Sequence, residues 1–189
     1  MEQKRILIAC IGNIFFGDDA FGVEVAHTLV NRPLPEEVLV CDYGIHGLDL
    51  AFALLDEYEA VILVSPLRQA GQPGTVYLIE PDPADISAST DQPMMIESYS
   101  LNPMRILAFA QSMGARLNRI LLIGCDVETP RTPEAPALEL SPPVQAAIPI
   151  AIEWIELLIP RILNQDFDTS CFNVATTRLK SVPISDWKT

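Results

Sequence analysis

The residues able to do chemistry in this chain fall into five short polar stretches, each following or preceding an apolar run. They are Asn13, Asp18 and Asp19, then Asp42 and His46, then Ser65 and Arg68, then Glu97, Ser98 and Tyr99, and last Asp126 and Glu128. Carboxylates with one histidine at a common edge can ligate a cation, activate water or recognise a polar substrate. Simpler readings exist for each. Asp18 and Asp19 open a helix-like segment, where an acid serves as N-cap or offsets the helix dipole by about 0.3–1 kcal/mol. His46 lies between glycines in a loop, and His27 falls inside a helical stretch as a surface residue. The cysteines Cys10, Cys41, Cys125 and Cys171 form no CxxC pair, and three lie in or beside apolar runs, as small buried hydrophobes do.

The elements that must position these residues are legible from periodicity. Arg5–Gly12 is a continuous apolar run closed by glycine, the pattern of a strand buried on both faces. Helical spacing over Asp18–Val30 follows, then a strand at Glu37–Cys41 and an amphipathic helix at Leu48–Leu55. Strands are predicted at Ala60–Val64, Thr75–Ile79 and Ile120–Gly124, and helices at Leu101–Met113 and Ser141–Leu163. Pro149 and Pro160 are expected to kink or end the last helix. Glu80–Ser98 and Asp126–Ala137 have no period and are rich in proline or polar residues, so they read as loops, the first as a candidate lid. The alternation predicts one α/β domain over residues 1–164: a mostly parallel five-stranded sheet with helices on both faces, a three-layer sandwich of the phosphorylase/hydrolase-like kind. Residues 165–189 lose the pattern and read as an extended or mobile tail. In such sheets ligands bind beyond the carboxyl ends of the strands, where the polar loops lie.

Bulk properties exclude several classes. A chain of 189 residues, nearly half apolar, builds a core without disulfides. A net charge of −13 argues against nucleic-acid binding, which needs clustered Lys and Arg. No apolar run is long enough for membrane insertion, and no leader with a cleavage site is present, so a cytoplasmic location is expected. Gly12–Gly17 sits where a dinucleotide loop would, but it lacks GxGxxG spacing. Phe15, Phe16 and the two aspartates would also disfavour a pyrophosphate there.

The stretch Gly12-Asn13-Ile14-Phe15-Phe16-Gly17-Asp18-Asp19-Ala20-Phe21-Gly22 resembles the opening motif of the hydrogenase maturation proteases. Asp42-Tyr43-Gly44-Ile45-His46-Gly47 is similar to that family's second loop, and Pro73-Gly74-Thr75 to its PGT element. Leu101-Asn102-Pro103 and Ser141-Pro142-Pro143-Val144 follow in order, so the resemblance runs over roughly residues 5–163. It implies an endopeptidase that removes the C-terminal peptide of a nickel–iron hydrogenase large-subunit precursor after nickel insertion, the nickel being supplied by the substrate. It carries a metal-contacting acid over to Asp19. Asp42 is then a second candidate catalytic residue, and Gly44, His46, Gly47 and Tyr99 are candidates for binding the substrate.

Two positions depart from the pattern. Ser65 stands where an aspartate is expected and Tyr99 where a histidine is expected. A neutral hydroxyl and a phenol of pKa near ~10 are poor nickel ligands. The site is then either rebuilt, with His46 as a metal ligand and Asp42 and Glu97 beside it, or silent. The silent form would bind a hydrogenase subunit or assembly factor without cutting it. A structural domain with no hydrogenase connection is the third reading.

Overall fold

The computed structural model describes residues 5–69, 71–82, 86, 102–128 and 139–165. The chain begins with β1 (Ile6–Ile11), a single 3-10 turn (Gly17–Ala20) and α1 (Phe21–Leu29). It continues with β2 (Val38–Gly44), α2 (Gly47–Ala53), β3 (Ala60–Leu67) and β4 (Val76–Ile79). The last described elements are α3 (Pro103–Ser112), β5 (Ile120–Asp126) and α4 (Pro142–Leu163). The sheet runs in the order β2-β1-β3-β5-β4. All pairings are parallel except that of β4 with β5. The expected α/β class and five-stranded, mostly parallel sheet are present.

The continuous apolar runs follow from burial on two sides. Along β1, Ile6, Ile8 and Cys10 enter one core, while Leu7, Ala9 and Ile11 enter the other. β3 divides in the same way, with Ile62 and Val64 on one side and Val61 and Leu63 on the other. α1 and α4 close the first core; α2 and α3 close the second. Each such Ile, Leu or Val side chain contributes roughly 1.5–3 kcal/mol on leaving water. An uncompensated charge has no place in these strands. Ionised groups are therefore driven to the strand ends.

The strands are longer than their apolar runs suggest. β2 continues through Asp42 to Gly44, β3 through Ser65 to Leu67, and β5 ends on Asp126. Backbone pairing sets these ends: Cys10 pairs with Asp42, and Leu67 with Asp126. The predicted first helix begins later, at Phe21, because Gly17–Ala20 forms the tighter turn. α4 continues through both Pro149 and Pro160 to Leu163. Packing of Ala151, Ile152, Ile155, Leu158 and Ile159 against the sheet outweighs the hydrogen bonds those prolines cannot make. The segment of α2 and the turn after it buries Leu50, Ala51 and Leu54 but leaves Leu48, Phe52 and Leu55 exposed, so apolar residues lie on both of its sides. Cys10 and Cys125 are buried and unpaired; burial pushes the Cys125 thiol up to about 12 and the Cys10 thiol higher still. Both stay protonated at neutral pH, as small core residues do. The segment 165–189 lies outside the described residues from 166 onward.

From β1 the chain passes to β2 on one side and then to β3 on the other, so the order reverses between β1 and β3. A crevice opens at the carboxyl ends of strands where connections diverge in this way. α1 starts there in very close contact with the sheet. A Cβ on Gly22 would lie 2.2 Å from the Ile11 carbonyl oxygen and 2.8 Å from that of Val64. Gly22→Ala forces α1 off both strand ends. The expected cost is about 1–3 kcal/mol, read as a lower urea midpoint; an unchanged midpoint would refute this packing.

Candidate functional site at the β1–β3 strand ends

The turn after β1 is assembled from its own backbone. The Asn13 side chain accepts the N–H of Phe15 at 3.0 Å, and the Asn13 N–H donates to the Asp19 carbonyl at 2.8 Å. A Cβ at Gly12 would lie 2.5 Å from that same carbonyl oxygen. The glycine and asparagine of the opening stretch therefore fold the loop back and bring the two aspartates to the crevice.

Neither aspartate caps its helix. The Asp18 carboxylate accepts the Ser141 N–H at 2.6 Å and the Ser141 hydroxyl at 3.0 Å, fastening the start of α4. Asp19 accepts from the Arg68 guanidinium at 2.6 Å, with the Asp19 side chain 17% and the Arg68 side chain 34% exposed. Burial raises the Asp19 pKa above the ordinary carboxylate value; Arg68 opposes that shift and Asp18 adds to it. The capping part of the helix-start reading is corrected: both acids lie in the first turn of Gly17–Ala20, but their carboxylates bond to partners far along the chain. Asp126 is a third carboxylate at this edge and is itself buried, accepting the N–H of Gln69 at 3.1 Å and of Gly71 at 2.5 Å. It fixes the chain immediately after Arg68.

The second loop is shaped by Asp42. Its carboxylate accepts the Gly44 N–H at 2.8 Å, and its other oxygen lies 3.8 Å from Nε2 of His27. Gly44 has φ +50°, a left-handed conformation costly for other residues. Its carbonyl accepts the Gly12 N–H at 2.9 Å, joining the two loops. His46 is mostly exposed, with Nδ1 3.9 Å from Asp49, and Gly47 begins α2 against Ile106. Ser65 is fully buried in β3, and its hydroxyl donates to the Pro66 carbonyl at 2.9 Å. Tyr99, Glu97 and Ser98 lie outside the described residues, and Glu128 is exposed.

The crevice thus brings together Asp19 and Arg68, with Asp18, Asp126 and Ser65 as supports. Asp42 and Gly44 build the adjoining loop, and His46 turns to Asp49 at the surface. The sequence places Arg68 among the polar residues of the strand ends but assigns it no role. Its one distinguishing signal is that it is the sole permanently cationic side chain in those stretches.

A resident nickel ion would need several ionised oxygens or imidazoles. Among the described residues no three His, Cys, Asp or Glu side chains are grouped to hold a metal. The Asp19 carboxylate is matched by Arg68, and the Ser65 hydroxyl is committed to a backbone carbonyl. The described residues do not fit a resident nickel ion. They do place a carboxylate acceptor beside a guanidinium donor, and a peptide group presents the complementary donor and acceptor.

A mostly parallel sheet covered on both faces, with a half-buried acid at the crevice where the strand order reverses, defines a doubly wound α/β protein. The hydrogenase maturation protease family model matches residues 23–157, and the chain belongs to that family. A putative hydrogenase maturation protease of Methanocaldococcus jannaschii is 31% identical over 158 residues, 82% of this chain and 96% of the relative. The solved structure of a hydrogenase 2 maturation peptidase from a Thaumarchaeota archaeon is 31% identical with a TM-score of 0.62, covering 83% of this chain and 99% of that one. The Escherichia coli hydrogenase-maturating endopeptidase HybD shares the fold, with a TM-score of 0.66 at 24% identity over 83% of this chain and 93% of its own. No helix among the described residues is long and apolar enough to cross a membrane.

The raised Asp19 pKa fixes a sign. Above the unfolded value near ~3.9, the folded chain still holds a proton that the unfolded chain has released. The stability tied to that proton is full below the unfolded pKa and is lost as pH rises through the folded pKa. Asp19→Asn does not titrate there. The urea midpoint of the natural protein, relative to Asp19→Asn, should therefore fall as pH rises from 4 to 7. A relative rise would contradict burial as the dominant cause.

Proposed function

We propose that this protein acts on a nickel–iron hydrogenase large-subunit precursor, removing its C-terminal peptide after nickel insertion, with nickel arriving as part of the substrate. The observation that carries the reading is the position of Asp19. In a chain of this family, a partly exposed carboxylate stands at the crevice between β1 and β3, beside a guanidinium. Asp19 and Arg68 supply the acceptor and donor for the substrate's main chain. Asp42, Gly44 and Gly47 shape the adjoining loop, and His46 and Tyr99 complete the set of residues proposed to meet the substrate.

Exposed apolar residues suit a peptide partner at this edge. Ile14 and Phe15 follow β1 and are 50% and 60% exposed, and Ile45 follows β2. Their loops are joined through Gly12 and Gly44, so they form one rim. Apolar side chains flanking a few placed polar groups are the usual composition of a peptide-binding cleft.

A second reading follows from Ser65. With its hydroxyl buried and committed to Pro66, β3 offers no second carboxylate beside Asp19. This favours a homologue that binds the precursor without cutting it. The two readings separate when the nickel-loaded precursor is incubated with the natural protein and its mass is followed. Loss of the C-terminal peptide establishes the endopeptidase. Binding without loss, together with cleavage by Ser65→Asp/Tyr99→His, establishes the silent binder. Absence of both binding and cleavage would sink both readings.

Replacing the rim tests the contact surface. Phe15→Asp with Ile45→Asp should weaken precursor binding at least about tenfold, equal to ~1.4 kcal/mol, at an unchanged urea midpoint. Undiminished binding would remove the rim from the interface.

A further inference from the structure

We propose that Arg68 occupies the place of a metal ion at Asp19, so that the protein by itself takes up no divalent cation there, and Asp19 reaches a metal only when Arg68 is moved aside. The inference deepens the reading above by naming what guards the acid, and it concerns the protein without its substrate. Three observations carry it. First, the Arg68 guanidinium is 2.6 Å from Asp19, the distance of a charge-assisted hydrogen bond. Arginine stays charged at any working pH, so this cation is always present. Second, it is tethered and aimed. β3 ends at Leu67, and the next residues are held by the two backbone N–H bonds to the buried Asp126. A tethered group competes at an effective concentration in the millimolar range or above, far beyond trace free nickel. Third, the neighbouring groups give a metal no counter-offer: Asp18 is engaged with Ser141, and the Ser65 hydroxyl with Pro66. A cation displacing Arg68 would gain one carboxylate and leave a partly buried guanidinium without its partner, which is costly.

The pair also sets what can open the site. A substrate that brings both a cation for Asp19 and an oxygen acceptor for Arg68 would exchange both partners at once. A free metal ion brings only the first. Selection for a loaded substrate over free metal would follow from this double exchange.

The test uses the paramagnetism of nickel(II), which broadens amide signals near a bound ion even when binding is weak. Nickel chloride is titrated into the ¹⁵N-labelled natural protein, Arg68→Gln, Arg68→Met and Arg68→Gln/Asp19→Asn. His27, an exposed histidine whose imidazole alone offers nickel a weak surface contact, is a reference that should respond alike in all four. In the natural protein, the amides of Asp18–Gly22 should keep their width while those around His27 broaden. In Arg68→Gln they should broaden at a nickel concentration at least about tenfold lower than in the natural protein. Arg68→Met should do the same, and the double variant should lose the effect. The proposal is overturned if the natural protein broadens at Asp18–Gly22 as readily as Arg68→Gln. It is equally overturned if both folded Arg68 variants stay sharp there. Neither outcome depends on precursor cleavage, so failure here is distinct from failure of the proposed function.

Discussion

The carboxylate of Asp126, at the buried end of β5, accepts the backbone N–H groups of Gln69 and Gly71 and so anchors the chain as it leaves β3. The rest of the crevice depends on that anchor. A buried carboxylate is tolerated only where donors satisfy it, and backbone donors are rigid ones. With the exit of β3 fixed, Arg68 is set against Asp19. Asp19 lies in the turn whose other carboxylate, Asp18, ties down the first residue before α4. Three acids thus join β5, β3, the turn after β1 and α4 at one edge.

That edge exists because the sheet is covered on both sides. β1 and β3 contribute alternating side chains to two separate cores, and neither core admits a charge without a partner. Polar chemistry is left to the strand ends, and the reversal of strand order between β1 and β3 opens the crevice there. The absence of a side chain at Gly22 lets α1 start against both strand ends, which brings the 3-10 turn carrying Asp19 over the crevice. Packing and chemistry are coupled at this point, since a displaced α1 would carry Asp19 with it.

The departure at Ser65 and the charge of Arg68 belong together. In β3 the serine directs its hydroxyl to its neighbour's carbonyl and leaves the core undisturbed, which an ionised aspartate in the same buried position would not do without new donors. The positive charge facing Asp19 is instead a side chain of the protein. An acid balanced by a fixed guanidinium differs from one awaiting a metal: it is a site held closed by its own cation.

Much of this was legible in the residues themselves. The runs Arg5–Gly12 and Ala60–Val64 specified strands buried on both faces, because an apolar stretch without alternation has no exposed side. The Gly12–Gly22 stretch marked a polar edge beyond β1, and its resemblance to the family's opening motif, not its spacing, singled out Asp19. Tertiary structure alone decided the partners. Asp19 meets Arg68 across 49 positions and Asp18 meets Ser141 across 123. Local spacing suggested a helix-start role for both acids, offsetting the dipole with one as N-cap, since that is the nearest use for such carboxylates. Likewise, β2, β3 and β5 outrun their apolar cores because backbone pairing between neighbouring strands, not side-chain character, sets where a strand ends. Pattern along the chain reports which residues leave water; which charge meets which is settled only when the sheet brings distant strand ends side by side.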